Sequence, residues 1–114
     1  MTTRPRQTES GFTRAVLDLA RLYRWRTIHV RPAMARGGNW LTAVAGDGVG
    51  WPDLVCLRGP RVVVAELKVG RNQTTAEQDD WLAAWRLVPA AEVFVWRPTD
   101  WPEILRVLQP KEAT

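Results

Sequence analysis

At 114 residues, with 46% hydrophobic and 25% charged residues, the chain is long enough for one domain with a small core and too apolar to be disordered throughout. A single cysteine, Cys56, excludes a disulfide framework and a Cys-rich zinc site, and a single histidine, His29, excludes His-pair metal motifs. Any metal must therefore be held mainly by oxygen, which favours magnesium or manganese. The formal charge is +4, and fourteen of the sixteen cations are Arg, a balance that suits a phosphate-bearing partner but also serves plain solubility.

Residues 1–8 read as a flexible arm, 9–109 as a single domain and 110–114 as a tail. The arm lacks the apolar stretch of a signal peptide, and no apolar run approaches the roughly 20 residues needed to span a bilayer. A cytoplasmic protein with no membrane partner is expected.

From Glu9 to Tyr23, Phe12, Ala15, Val16, Leu19, Ala20 and Tyr23 recur at helical spacing. Glu9 continues this apolar face, either to complement the positive end of the helix dipole or to reach towards a metal or water. Thr27 to Arg31 is a short β-like run, on which His29 reads as a hydrogen-bonded structural residue in preference to a phosphate contact. Pro32 to Gly50, with five glycines, reads as a long mobile loop; Trp40, Leu41 and Val44 allow a turn of helix within it.

Asp53 to Arg58 predicts a strand, Gly59-Pro60 a tight connection, and Arg61 to Val69 a second strand antiparallel to the first. Side chains alternate along the latter, so Val62, Val64, Glu66 and Lys68 share one face, and Val63, Ala65, Leu67 and Val69 the other. A strand apolar on both faces until its last residues is a central one. Thr75 followed by Gln78 forms a capping-box start for a helix to about Leu87, with Gln78, Trp81, Leu82 and Trp85 on one stripe. Trp81 and Trp85 read as core or subunit interface rather than base-stacking platforms. Ala91 to Arg97 is a further strand. Asp100 with Glu103 opens a last short helix whose Ile104, Leu105 and Leu108 face inward. The expected fold is α/β, a small mixed sheet flanked by helices.

The chemistry lies where the two hairpin strands meet. Folding back through Gly59-Pro60 brings Asp53 and Glu66 to the same end of the sheet, with Lys68 two residues beyond on the face of Glu66. A phosphodiester repels hydroxide. A divalent cation held by two carboxylates neutralises that charge and acidifies a bound water. Lys68 is then placed to orient or deprotonate the water, or to stabilise the transition state. The main-chain carbonyl of Leu67 is a natural additional metal ligand, and Gln78 is placed to hold the water or the Lys68 amine. Singly, a Pro-Asp turn or a Glu-x-Lys strand end is often structural; a Val-rich central strand ending in two charges on one face has no easy structural explanation. Arg31, Arg36 and Arg71 flank the cleft in sequence as candidate phosphate contacts, while Arg14, Arg21 and Arg24 form a basic helix face.

The segment Gly50-Trp51-Pro52-Asp53-Leu54, then Ala65-Glu66-Leu67-Lys68, then Thr75-Ala76-Glu77-Gln78 with Trp81-Leu82, resembles the VRR-NUC family of the PD-(D/E)XK nuclease superfamily. The stretch Val93 to Pro98 through Trp101 is similar to the C-terminal part of its small stand-alone members, and Glu9 matches the acidic residue often found on their first helix. The resemblance implies a restriction-endonuclease-like α-β-β-β-α-β core, a Mg2+ or Mn2+ centre and a DNA endonuclease with Glu9, Asp53, Glu66, Lys68 and Gln78 as catalytic residues. Its small members are viral or bacterial and resemble Holliday junction resolvases, which implies a homodimer cutting branched DNA. The Pro32–Val49 loop is longer than that pattern expects. Two alternatives stay open: a non-catalytic nucleic-acid-binding module with a nuclease-like fold, and a nuclease acting on RNA or within a larger complex.

Overall fold

The computed structural model describes residues 8–30 and 46–111, with the backbone alone of residues 33–34 and 40–41 between them. The expectations for the arm before Thr8, for the last residues of the tail, and for Arg31 and Arg36 lie outside the described residues.

Helix α1 spans Glu9–Leu22 and starts where expected, because the Thr8 hydroxyl accepts the Gly11 N–H at 3.0 Å. Its buried stripe is Phe12, Val16 and Ala20. The helix closes with paired bonds from Arg24 N to Arg21 O and from Trp25 N to Ala20 O, and Arg24 takes φ 66° at the turning position. This is the Schellman arrangement, which normally uses glycine there.

Strands β1 (Arg26–His29), β4 (Leu54–Arg58), β5 (Arg61–Leu67) and β6 (Ala91–Trp96) form a mixed sheet in the order β1-β4-β5-β6. β4 pairs antiparallel with both β1 and β5, and β5 runs parallel to β6. The parallel pair needs a crossover, supplied by helix α2 (Ala76–Arg86). A 3-10 turn at Pro98–Asp100 leads into α3 (Trp101–Leu108). The chain is thus α/β, a small mixed sheet with three helices, the last one short.

Two expectations need correction. Trp40–Leu41 is no helical turn: it is a short strand, β3, pairing antiparallel with β2 (Ala33–Met34) as a separate two-stranded ribbon. Asp100 does not cap α3 with its side chain; its carboxylate accepts the Arg97 N–H and closes the preceding 3-10 turn instead.

β5 is central as expected, with Val63 to Leu67 buried without interruption. Val63, Ala65 and Leu67 join Leu54, Cys56, Trp96 and the stripes of α1 and α3 in the main core. α2 packs on β6 across the opposite face. Burial pushes the Cys56 thiol up to about 12, so it behaves as a small hydrophobe. At the far end of the sheet Arg61 grips Glu92 through two nitrogens (3.0 and 2.8 Å), donates to the Val107 carbonyl and stacks over Trp25 at 4.9 Å. Among the described residues, no helix is long and apolar enough to cross a membrane.

Candidate active site

The hairpin register sets the site. Leu54 pairs with Ala65, so the next position outward places Asp53 opposite Glu66 on the face that α2 covers. Amide directions alternate along β5: Lys68 N donates to Trp96 O on β6, while Leu67 N–H points to the β4 side, where the strand has already ended. The Asp53 carboxylate takes that amide, with Oδ2 at 2.9 Å. Asp53 is also held through its carbonyl, which accepts from Val30 N at 3.0 Å.

Glu66 is 1% exposed, the one buried charged residue among those described. Its Oε1 accepts from Gln78 Nε2 at 3.0 Å and lies 3.9 Å from Lys68 Nζ, too far for a hydrogen bond. Its Oε2 has no hydrogen-bond partner. Burial, and after it the neighbouring Asp53 carboxylate within hydrogen-bonding reach, together push the Glu66 carboxyl up to about 9, against a smaller opposing effect of Lys68. A buried carboxyl facing a second carboxylate keeps its proton unless a cation takes the proton's place.

Gln78 is oriented from behind. The capping box expected of Thr75 and Gln78 forms, with Gln78 N donating to Thr75 Oγ1 and Gln78 Oε1 accepting Thr75 N at 2.8 Å. With its oxygen so committed, the amide has only its NH2 to offer Glu66. Gln78 therefore holds the carboxylate rather than the Lys68 amine.

Asp53, Glu66, Lys68 and Gln78 thus converge, with the Leu67 main chain between the two strand charges. Glu9 does not join them. It is exposed in the first turn of α1, and among the described residues no three His, Cys, Asp or Glu side chains gather into a metal-holding group. Arg71 is exposed on the turn after β5. His29 pairs with Leu54, which puts it on the opposite face of the sheet from Asp53 and Glu66.

Three contributors were missed by sequence reasoning. Arg97 donates to the carbonyls of Gly70 and Asn72 and pins the turn that follows Lys68. Trp51 meets Trp81 and Trp85 edge-on at 4.8 and 5.8 Å. The Trp81 N–H is shared between the carbonyls of Asp47 and Val49, at 2.9 and 3.1 Å. Leu82 alone of the expected α2 stripe is buried, while Trp81 and Trp85, both half-buried, meet Trp51 of the loop. With Asp47, Val49, Glu77, Asp80 and Ala84, Trp81 lines an open acidic groove of about 380 Å³, whose charge disfavours a polyanion.

Compared with protein-family profiles, with curated proteins and with solved structures, the chain gives no match.

Two facing carboxylates, one of which keeps an unpartnered buried oxygen, make a hard, all-oxygen donor set of the kind that takes Mg2+ or Mn2+. Mg2+ sites commonly use one or two carboxylates and complete their shell with water and substrate phosphate. The donor set fits such an ion.

Proposed function

We propose that the protein is a Mg2+- or Mn2+-dependent DNA endonuclease of the restriction-endonuclease-like fold. The observation that carries this reading is Glu66: a buried carboxylate at the end of a central strand, with one orphaned oxygen, facing Asp53 and flanked by an amine. Leaving out the β2–β3 ribbon, the order of helices and strands is α-β-β-β-α-β, which the resemblance to the VRR-NUC family also implies. The choice of DNA, of branched DNA in particular, and of a homodimer rests on that resemblance.

Asp53 and Glu66 hold the cation, with the Leu67 carbonyl as a third oxygen. The ion supplies charge neutralisation of the phosphate and a more acidic water. The chain's own residues do the rest. Gln78 fixes the Glu66 carboxylate, so one oxygen keeps its direction while the other stays available. Leu67 N–H fixes Asp53 in the same way. Lys68, held loosely by Glu66, is available to orient the attacking water or to meet negative charge developing on the phosphate.

The test is a cleavage panel of four-way junction, flap, nicked, linear and single-stranded DNA, with matched RNA, with and without Mg2+ or Mn2+. Wild type is set against Asp53→Ala, Glu66→Gln and Lys68→Ala. Metal-dependent products that each substitution cuts by a hundredfold or more are expected. Undiminished cleavage in all three variants sinks the assignment. A binding module without turnover is the second reading, favoured by the burial of Glu66, which pushes its carboxyl up and so lets it stand protonated without a cation. DNA binding with no metal-dependent turnover would establish that reading.

A further inference from the structure

Helix α2 carries two connections on adjacent turns. Gln78 reaches inward to Glu66, and Trp81, three residues on, reaches to the 46–51 loop through the Asp47 and Val49 carbonyls. That loop leads through Trp51 and Pro52 straight to Asp53. Trp51 packs edge-on against Trp81 and Trp85, and Pro52 is fully buried. Gly50 lies so close to α2 that a Cβ there would sit 2.5 Å from the Glu77 carbonyl carbon, and its φ of 84° disfavours any side chain. Five contacts, two hydrogen bonds, two ring contacts and the close approach at Gly50, thus strap the loop to the helix within a few residues of the site.

A plain structural strap would need only the packing of the tryptophans. What the indole N–H adds is a fixed height of the loop along α2, by tying the carbonyls of Asp47 and Val49, two residues apart, to one point on the helix. Because the same helix orients Glu66 through Gln78, the placement of Asp53 relative to Glu66 is set by α2 on both sides.

We infer that Trp81 is a positioning residue for the cation site: its indole N–H, with the close approach at Gly50, holds Asp53 at the spacing from Glu66 that a divalent ion requires. This rests on the reading of Asp53 and Glu66 as the cation-binding pair. Trp81→Phe keeps the ring packing and removes the donor. Gly50→Ala pushes the same loop off the helix and leaves the indole intact.

The experiment measures thermal unfolding of the full chain at pH 7.5 in chelator and across a Mn2+ titration, giving an apparent Mn2+ dissociation constant without substrate. Wild type is stabilised by Mn2+, and Glu66→Gln loses that response. Trp81→Phe and Gly50→Ala bind Mn2+ about tenfold more weakly, the low end for residues that act through a ligand. A merely structural role lowers the melting temperature in chelator and leaves the Mn2+ constant unchanged; that result in either variant overturns the inference while the carboxylate pair stands. Should Trp81→Phe fail to fold, Gly50→Ala decides alone. Wild type without a Mn2+ response, or an equal response in Glu66→Gln, overturns both the pair and the strap.

Discussion

Glu66→Gln separates the cost of a buried charge from everything else at the site. In the folded protein the Glu66 carboxyl titrates at about 9, against an ordinary value of 4.5. Without metal the folded state therefore keeps a proton through a range in which the unfolded chain has released it. Stability is full below about pH 4.5 and falls as pH rises towards 9. The slope from one such group approaches about 1.4 kcal/mol per pH unit, so roughly 2–3 kcal/mol is lost between about pH 5.5 and 7.5. Glutamine has nearly the same shape and no charge to release. It still offers an oxygen to the Gln78 amide and can donate to Asp53. Denaturant unfolding in chelator, at half-unit steps of pH, should show wild type and Glu66→Gln converging near pH 5. By pH 7.5 the variant should be the more stable by about that 2–3 kcal/mol. Saturating Mn2+, which binds the deprotonated pair, should stabilise wild type more at pH 7.5 than at 5.5. A stability difference between the two proteins that does not change with pH would refute the reasoning, because it would mean that Glu66 ionises in the folded state without penalty.

Three other outcomes follow from particular contacts. Gln78→Glu preserves the acceptor for Thr75 N, and so the helix cap, but faces Glu66 with an acceptor instead of a donor. It should lower stability in chelator by about 1–3 kcal/mol and recover with Mn2+; equal stability with and without metal would count against a cation at the pair. Arg61→Ala strips Glu92, the Val107 carbonyl and the Trp25 ring of their shared partner. The expected loss is about 2–3 kcal/mol in urea unfolding, with the Mn2+ constant unchanged because the residue sits at the other end of β5. Arg24→Gly relieves the left-handed residue that ends α1 and should raise stability by roughly 1 kcal/mol; a loss would show that the arginine side chain outweighs its backbone strain.

Much of this protein is written locally in its residues. The spacing of Phe12, Val16 and Ala20 marks the buried side of α1. The Val run into Glu66 marks a central strand, and Thr75 with Gln78 marks the start of α2, because each is a periodicity or a cap made by residues within four positions of one another. The hairpin through Gly59-Pro60 is nearly as local, which is why the residue pattern alone pairs Asp53 with Glu66. Tertiary structure alone decided what joins elements remote in sequence. Trp81 meets carbonyls 32 and 34 residues away, Arg97 fastens a turn 25 to 27 residues before it, and Glu9, helically in phase with the core, ends exposed. No local pattern encodes such contacts, because they depend on how α2 lies on the sheet and on the path the chain takes back to it. The residue types at the site were legible in the sequence. The burial of Glu66, which makes its carboxyl hold a proton or call for a cation, came from packing.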